Sequence, residues 1–201
     1  AQFKVYGMDI NPTLTYKILT NFVRYGNVDD YIIGYVGLEQ KQYGNNNTTH
    51  ISSGLQLYSN IIEVKEDGSL SDFSFEHAKA VLKLNVKLGK GIGEEPYLSS
   101  IVLNNKNKQL ASELKVFAGD SVKAYFDDEY AENTKYSSNP KVVIMGSDNK
   151  LSAERVYTAY MEVLWNDETQ NEDSPITITL NTADGKWCDV EKKAIAFQAG
   201  K

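Results

Sequence analysis

Ala78-Lys79-Ala80-Val81-Leu82-Lys83-Leu84-Asn85-Val86-Lys87-Leu88 puts an apolar residue at every second position, with lysines at 79, 83 and 87 in between. A period of two belongs to a β-strand with one face buried, not to a helix. The alternation predicts Ala80, Leu82, Leu84 and Val86 against a core and Lys79, Lys83 and Lys87 in water. Arg155 to Trp165 repeats the pattern, with Tyr157, Ala159, Met161, Val163 and Trp165 on one side and Val156, Thr158, Tyr160, Glu162 and Leu164 on the other. Apolar groups on both sides predict a central strand. Pro175 to Leu180 sets three aliphatics opposite threonines, and Ala183-Asp184-Gly185-Lys186 carries the Asp-Gly signal of a tight hairpin. A return strand from Trp187 to Phe197 follows.

Shorter strands are expected at Phe3 to Met8, Leu14 to Thr20, Tyr31 to Val36, Leu55 to Val64, Leu98 to Leu103, Glu113 to Phe117, Ser121 to Phe126 and Lys141 to Met145. Turn-forming clusters punctuate them: Gly44 to Thr49, Asp67-Gly68-Ser69, Asn104 to Asn107, Ser137 to Pro140 and Asn166 to Thr169. No stretch keeps a helical period over three turns, no long repeat is present, and no Pro- or Ser-rich linker divides the chain. The expectation is an all-β protein, an antiparallel β-sandwich forming one domain over residues 1–201 with long polar loops.

The 201 residues suffice for a real core. Lys plus Arg is 21 against 27 Asp plus Glu, a formal charge of -6. That balance disfavours phosphate-backbone binding, so no nucleic-acid partner is expected. No apolar run exceeds four residues, Val142 to Met145 being one, so no membrane-spanning helix is expected. The chain opens at Ala1 without a basic-then-apolar leader, and the expectation is a removed signal segment or a trimmed piece. Cys188 is the single cysteine, which excludes an internal disulfide. Tyrosines outnumber phenylalanines 13 to 7, rings that bury a face while keeping a hydroxyl wet.

Candidate chemistry is sparse. Gly89-Lys90-Gly91-Ile92-Gly93-Glu94-Glu95-Pro96 follows a strand, as a dinucleotide loop would, but its glycine spacing is wrong and its glutamates repel phosphate, leaving a flexible hairpin turn. His50 in a polar loop and His77 at a strand entrance lack ligand company, so neither a metal nor a cofactor is expected. His77 reads as a hydrogen-bonded ring. Cys188 beside Trp187 has no nearby histidine in sequence and reads as a buried thiol. Asp127-Asp128-Glu129 is the densest acidic cluster, but consecutive carboxylates diverge, which favours a solvated turn. Asn46-Asn47-Thr48 and Asn47-Thr48-Thr49 fit the N-glycosylation acceptor pattern, relevant only in a eukaryotic secretory pathway.

Asp72-Phe73-Ser74-Phe75-Glu76-His77-Ala78 running into Leu82, Leu84 and Val86 resembles the F-x-H-A strand of fimbrillin-like proteins. These are the Mfa-like, type V pilins and pilus-associated lipoproteins of Bacteroidetes. The order of the remaining strands, ending on Ala196-Phe197-Gln198-Ala199-Gly200-Lys201, is similar to the N-terminal domain of that family over nearly the whole chain. The resemblance implies a transthyretin-like β-sandwich without catalysis, a structural or adhesive fimbrial subunit exported through a lipoprotein precursor to the cell surface across the outer membrane. Its implied partners are other pilus subunits through donor-strand contacts, and host or bacterial surface ligands. Two features depart from the family, the missing lipobox cysteine and the end at Gly200-Lys201, where similar domains continue into a last strand. By analogy with family members cleaved after arginine, Arg24 is a candidate processing site, with an ordinary solvated loop arginine as the alternative. A surface carbohydrate-binding module, or a carbohydrate-active accessory domain using Asp127 and Asp128, is the alternative function. It needs two or three exposed aromatics on one face, whereas a pilin needs an open groove or sheet edge.

Overall fold

The structure is a computed structural model that describes residues 15–16, 18–20, 31–35, 39–104, 110, 113–117, 122–125, 139–164 and 175–193. In chain order the elements are β1 (Thr15–Tyr16), β2 (Leu19–Thr20), β3 (Tyr31–Tyr35), β4 (Glu39–Tyr43), α1 (Thr49–Ser53), β5 (Leu57–Ser59), β6 (Ile62–Glu63) and β7 (Phe75–His77). They continue with β8 (Ala80–Val86), β9 (Leu98–Asn104), β10 (Glu113–Phe117), β11 (Val122–Tyr125), β12 (Lys141–Met145), β13 (Tyr157–Val163), β14 (Pro175–Thr182) and β15 (Trp187–Lys193). The described chain is all-β in several sheets, with no closed barrel.

The largest sheet runs β15-β14-β9-β12-β4, and β8 pairs antiparallel with β13. Within the large sheet the β12/β4 contact is parallel, against the wholly antiparallel expectation, because β4 arrives from far upstream rather than through a hairpin. Smaller sheets are β2-β5-β7, β11-β10-β3 and β1-β6. One core joins Ala80 and Val86 of β8, Leu98, Ile101 and Leu103 of β9, Val142 and Ile144 of β12, Tyr157, Ala159, Met161 and Val163 of β13, and Ile176 of β14. Each buried Leu, Ile, Val or Met side chain contributes about 1.5–3 kcal/mol.

Several boundaries differ from expectation. The alternating strand starts at Ala80 because the chain bends at Ala78-Lys79, leaving Phe75–His77 in another sheet beside β5. Lys79 is not in water. The bend brings its ammonium to 2.6 Å from Glu162 Oε2, and it donates to the Gly54 carbonyl at 3.0 Å. A Cβ on Gly54 would lie 3.1 Å from Glu162 Oε2, so the absent side chain leaves that carboxylate its place. Leu55 to Val64 divides into β5 and β6. Residues 87–97 cross from β8 to β9 in a different sheet, so the glycine-rich stretch is not a hairpin turn. Two elements were not expected, β4 and the five-residue α1, which carries His50.

Among the described residues β13 has a strand on one side only. On its other edge, side chains from β4 and the segment after it replace a strand. Gln40 Oε1 accepts the Glu162 N–H at 2.8 Å while its Nε2 donates to the Glu162 carbonyl at 2.9 Å. Gln42 Oε1 accepts the Tyr160 N–H at 2.8 Å, and its Nε2 donates to the Thr158 carbonyl at 2.9 Å. Asn45 Oδ1 takes the Thr158 N–H at 2.7 Å, and His50 Nε2 donates to the Tyr160 carbonyl at 3.0 Å. Buried backbone groups must be paired, and here amide side chains do it. The row stitches β13 to β4 and closes one side of the core.

Candidate functional site: a free strand edge

The phase of that seam decides where β8 points its own backbone. Residues 158, 160 and 162 turn their N–H and C=O groups toward the amides, so Thr158↔Asn85, Tyr160↔Lys83 and Glu162↔Val81 are the non-hydrogen-bonded pairs of the β8/β13 ladder. Val81, Lys83 and Asn85 therefore aim their N–H and C=O groups off the far edge of β8. Among the described residues no strand takes them. A row of backbone groups left unpaired at a sheet edge is a template for another strand.

Counting outward from the seam, one side continues through β13 and β8, the other through β4, β12, β9, β14 and β15. Among the described residues the second is wider by three strands. Several apolar groups away from the seam are only half-buried, namely Leu82, Leu84 and Leu88 around β8 and Ile178 and Leu180 on the inward face of β14, while Ala80, Val86 and Ile176 are buried. On the seam side, Leu98, Ile101, Val142 and Met161 are fully buried.

Among the described residues the large sheet has no further strand beyond β15. Thr182 N–H donates to the Lys186 carbonyl at 2.9 Å, and the turn uses Gly185 at φ 81, a left-handed conformation suited to glycine. Counting from that bond, Trp187, Asp189 and Glu191 turn their backbone groups outward. Asp189 Oδ1 accepts the Thr179 hydroxyl at 2.6 Å. Cys188 is exposed, not buried as expected, because nothing among the described residues covers the inner face of β15 there.

The sequence-identified residues straddle two sheets. Phe75 is half-buried in β7, its ring edge-on to Phe73 at 5.8 Å and 89°. His77 is exposed at the end of β7 and its ring makes no hydrogen bond among the described residues, contrary to the expectation of a bonded ring. Ala78 is buried at the bend, Val86 is buried, and Leu82 and Leu84 line the free edge. Between β5 and β7, Tyr58 Oη donates to Glu76 Oε2 at 2.8 Å; burial first, then Glu76, pushes that phenol up to about 12. Arg24, Asp127, Asp128 and Glu129 lie outside the described residues. Asn46 of the acceptor pattern sits at φ 54, and its Oδ1 takes the Tyr160 hydroxyl at 2.7 Å. Gln40 and Gln42, which close the seam, were missed because a polar strand shows no hydrophobic period.

Among the described residues no three His, Cys, Asp or Glu side chains converge as metal ligands, and no helix is long and apolar enough to cross a membrane. Compared with protein-family models the chain matches none, and compared with curated proteins it has no significant match.

Proposed function

We propose that the protein is a structural or adhesive subunit of a bacterial cell-surface fimbria, a transthyretin-like β-sandwich that assembles by strand addition and performs no catalysis. The observation that carries this reading is the free edge of β8, with Leu82 and Leu84 only half-buried beside it and Ile178 and Leu180 half-buried on β14. An incoming strand would gain main-chain hydrogen bonds from Val81, Lys83 and Asn85, and specificity from its contacts with the leucines. Export through a lipoprotein precursor and partnership with other pilus subunits belong to the same proposal. Lys83→Pro tests it, since proline removes the outward N–H while sparing the bonds to β13. In the producing bacterium, electron microscopy should show surface fibres with the wild-type protein and none with Lys83→Pro. Ordinary fibres in the variant, or in a strain lacking the protein, overturn the proposal.

A second reading, carbohydrate binding, is favoured by exposed aromatics. The register Lys41↔Val143↔Ser100↔Asn181↔Trp187 puts Trp187 and Tyr43 on one face of the large sheet, 67% and 62% exposed. They stand four strand spacings apart, about 19 Å, a span for an oligosaccharide rather than one sugar. Titration with neutral oligosaccharides should then change Trp187 fluorescence in the wild type and not in Tyr43→Ala.

A further inference from the structure

Among the described residues β8 and β15 are both edge strands, β8 carrying lysines only and β15 the acids Asp189 and Glu191 followed by Lys192 and Lys193. On the outward face of β8 stand Lys83 and Lys87, both exposed and in no ion pair among the described residues. On the corresponding face of β15 stand Asp189 and Glu191, exposed and likewise in no ion pair there. The backbone phase matches as well. Lys83 and Asn85 point their N–H and C=O groups off β8, and Trp187, Asp189 and Glu191 point theirs off β15.

We infer that the strand received by β8 is β15 of a second copy of this chain, docked antiparallel with Lys83 opposite Glu191. This rests on the strand-addition reading above and names its partner. In that register Asn85 meets Asp189, and Lys87 meets Trp187, whose exposed indole face attracts a cation. On the inward side Leu84 meets Val190. A β8-to-β15 contact is heterologous, since each copy uses a different edge, so it propagates from copy to copy instead of closing as a two-fold dimer. Two β8 edges, which carry lysines alone, repel each other, which disfavours β8-to-β8 addition.

Charge reversal in the full chain tests the pairing. Sedimentation velocity on the wild type should show species above the 22.5 kDa monomer, growing with concentration and receding with added salt. K83E/K87E and D189K/E191K should each weaken self-association more than about tenfold, since like charges then face each other. All four positions are exposed, and unchanged thermal melts would establish that both variants fold. Mixing the two variants restores opposite charges at every junction, so association should return. A wild type that stays monomeric at low salt overturns the proposal, as does association that ignores both reversals or fails to return on mixing. If Lys83→Pro abolishes assembly while the reversals leave it intact, the strand-addition reading stands and β15 is not the donor.

Discussion

Lys79 Nζ lies 2.6 Å from Glu162 Oε2, with the two side chains 6% and 7% exposed, so the pair is sealed between the Ala78-Lys79 bend and β13. Removing one member leaves the other charged and buried, which costs about 3–5 kcal/mol. Lys79→Met should lose that much in urea unfolding. Lys79→Met with Glu162→Leu should recover most of it, because an apolar pair of similar volume removes both desolvation penalties. A double variant as unstable as the single one would show that the pair is not the source of the loss.

Gln42→Leu strips partners from the Tyr160 N–H and one donor from the Thr158 carbonyl. The Thr158 carbonyl keeps the Asn46 N–H, and an unsatisfied buried group costs about 1–3 kcal/mol, so the expected loss is about 1–3 kcal/mol, from a polar residue that hydrophobicity would rank as replaceable. Amide exchange at Tyr160 should accelerate more than exchange at Ala159, whose bonds run to β8.

Leu84→Ala should cost less than the 2–5 kcal/mol typical of a buried leucine, because Leu84 is already half-exposed. Leu98→Ala, at a fully buried site, should reach that range. Parallel denaturant melts give the contrast, and equal losses would mean that β8 is covered in solution.

The Thr182 hydroxyl and then Lys186 hold the Asp184 carboxyl down to about 2, from the ordinary 3.8. A depressed carboxylate contributes stability that is present above its unfolded value and is lost as pH falls through the folded one. The Ala183 to Lys186 turn should therefore loosen between about pH 4 and 2. Carboxyl NMR titration of Asp184 checks the value, and Thr182→Val should move it upward.

The strands with apolar alternation, β8, β13 and β14, were legible because each buries an apolar face, and burial is what the period of two reports. β4 was not, because its inward residues are Gln40 and Gln42, whose partners lie 122 and 116 residues downstream. The bend at Ala78-Lys79 was hidden for the opposite reason: the alternation runs through it unbroken although the chain changes sheets. Exposure of Cys188 depends on which strands cover β15, and no local pattern records that. Strand order likewise decides which edges lack a neighbour, and no local pattern in the Phe75 to Val86 stretch records it.

The seam also bears on how fast the protein acquires its shape. Gln40 must find Glu162 at a sequence separation of 122 residues, and among the described residues β4 has its strand partner only in β12, so the contacts that shut the core are distant in sequence. Distant pairing delays folding, because loop closure must precede any gain from the contact. During synthesis, β4 through β9 emerge before β12 and β13 exist to cap them, so the seam that closes the core can form only once Glu162 has been made.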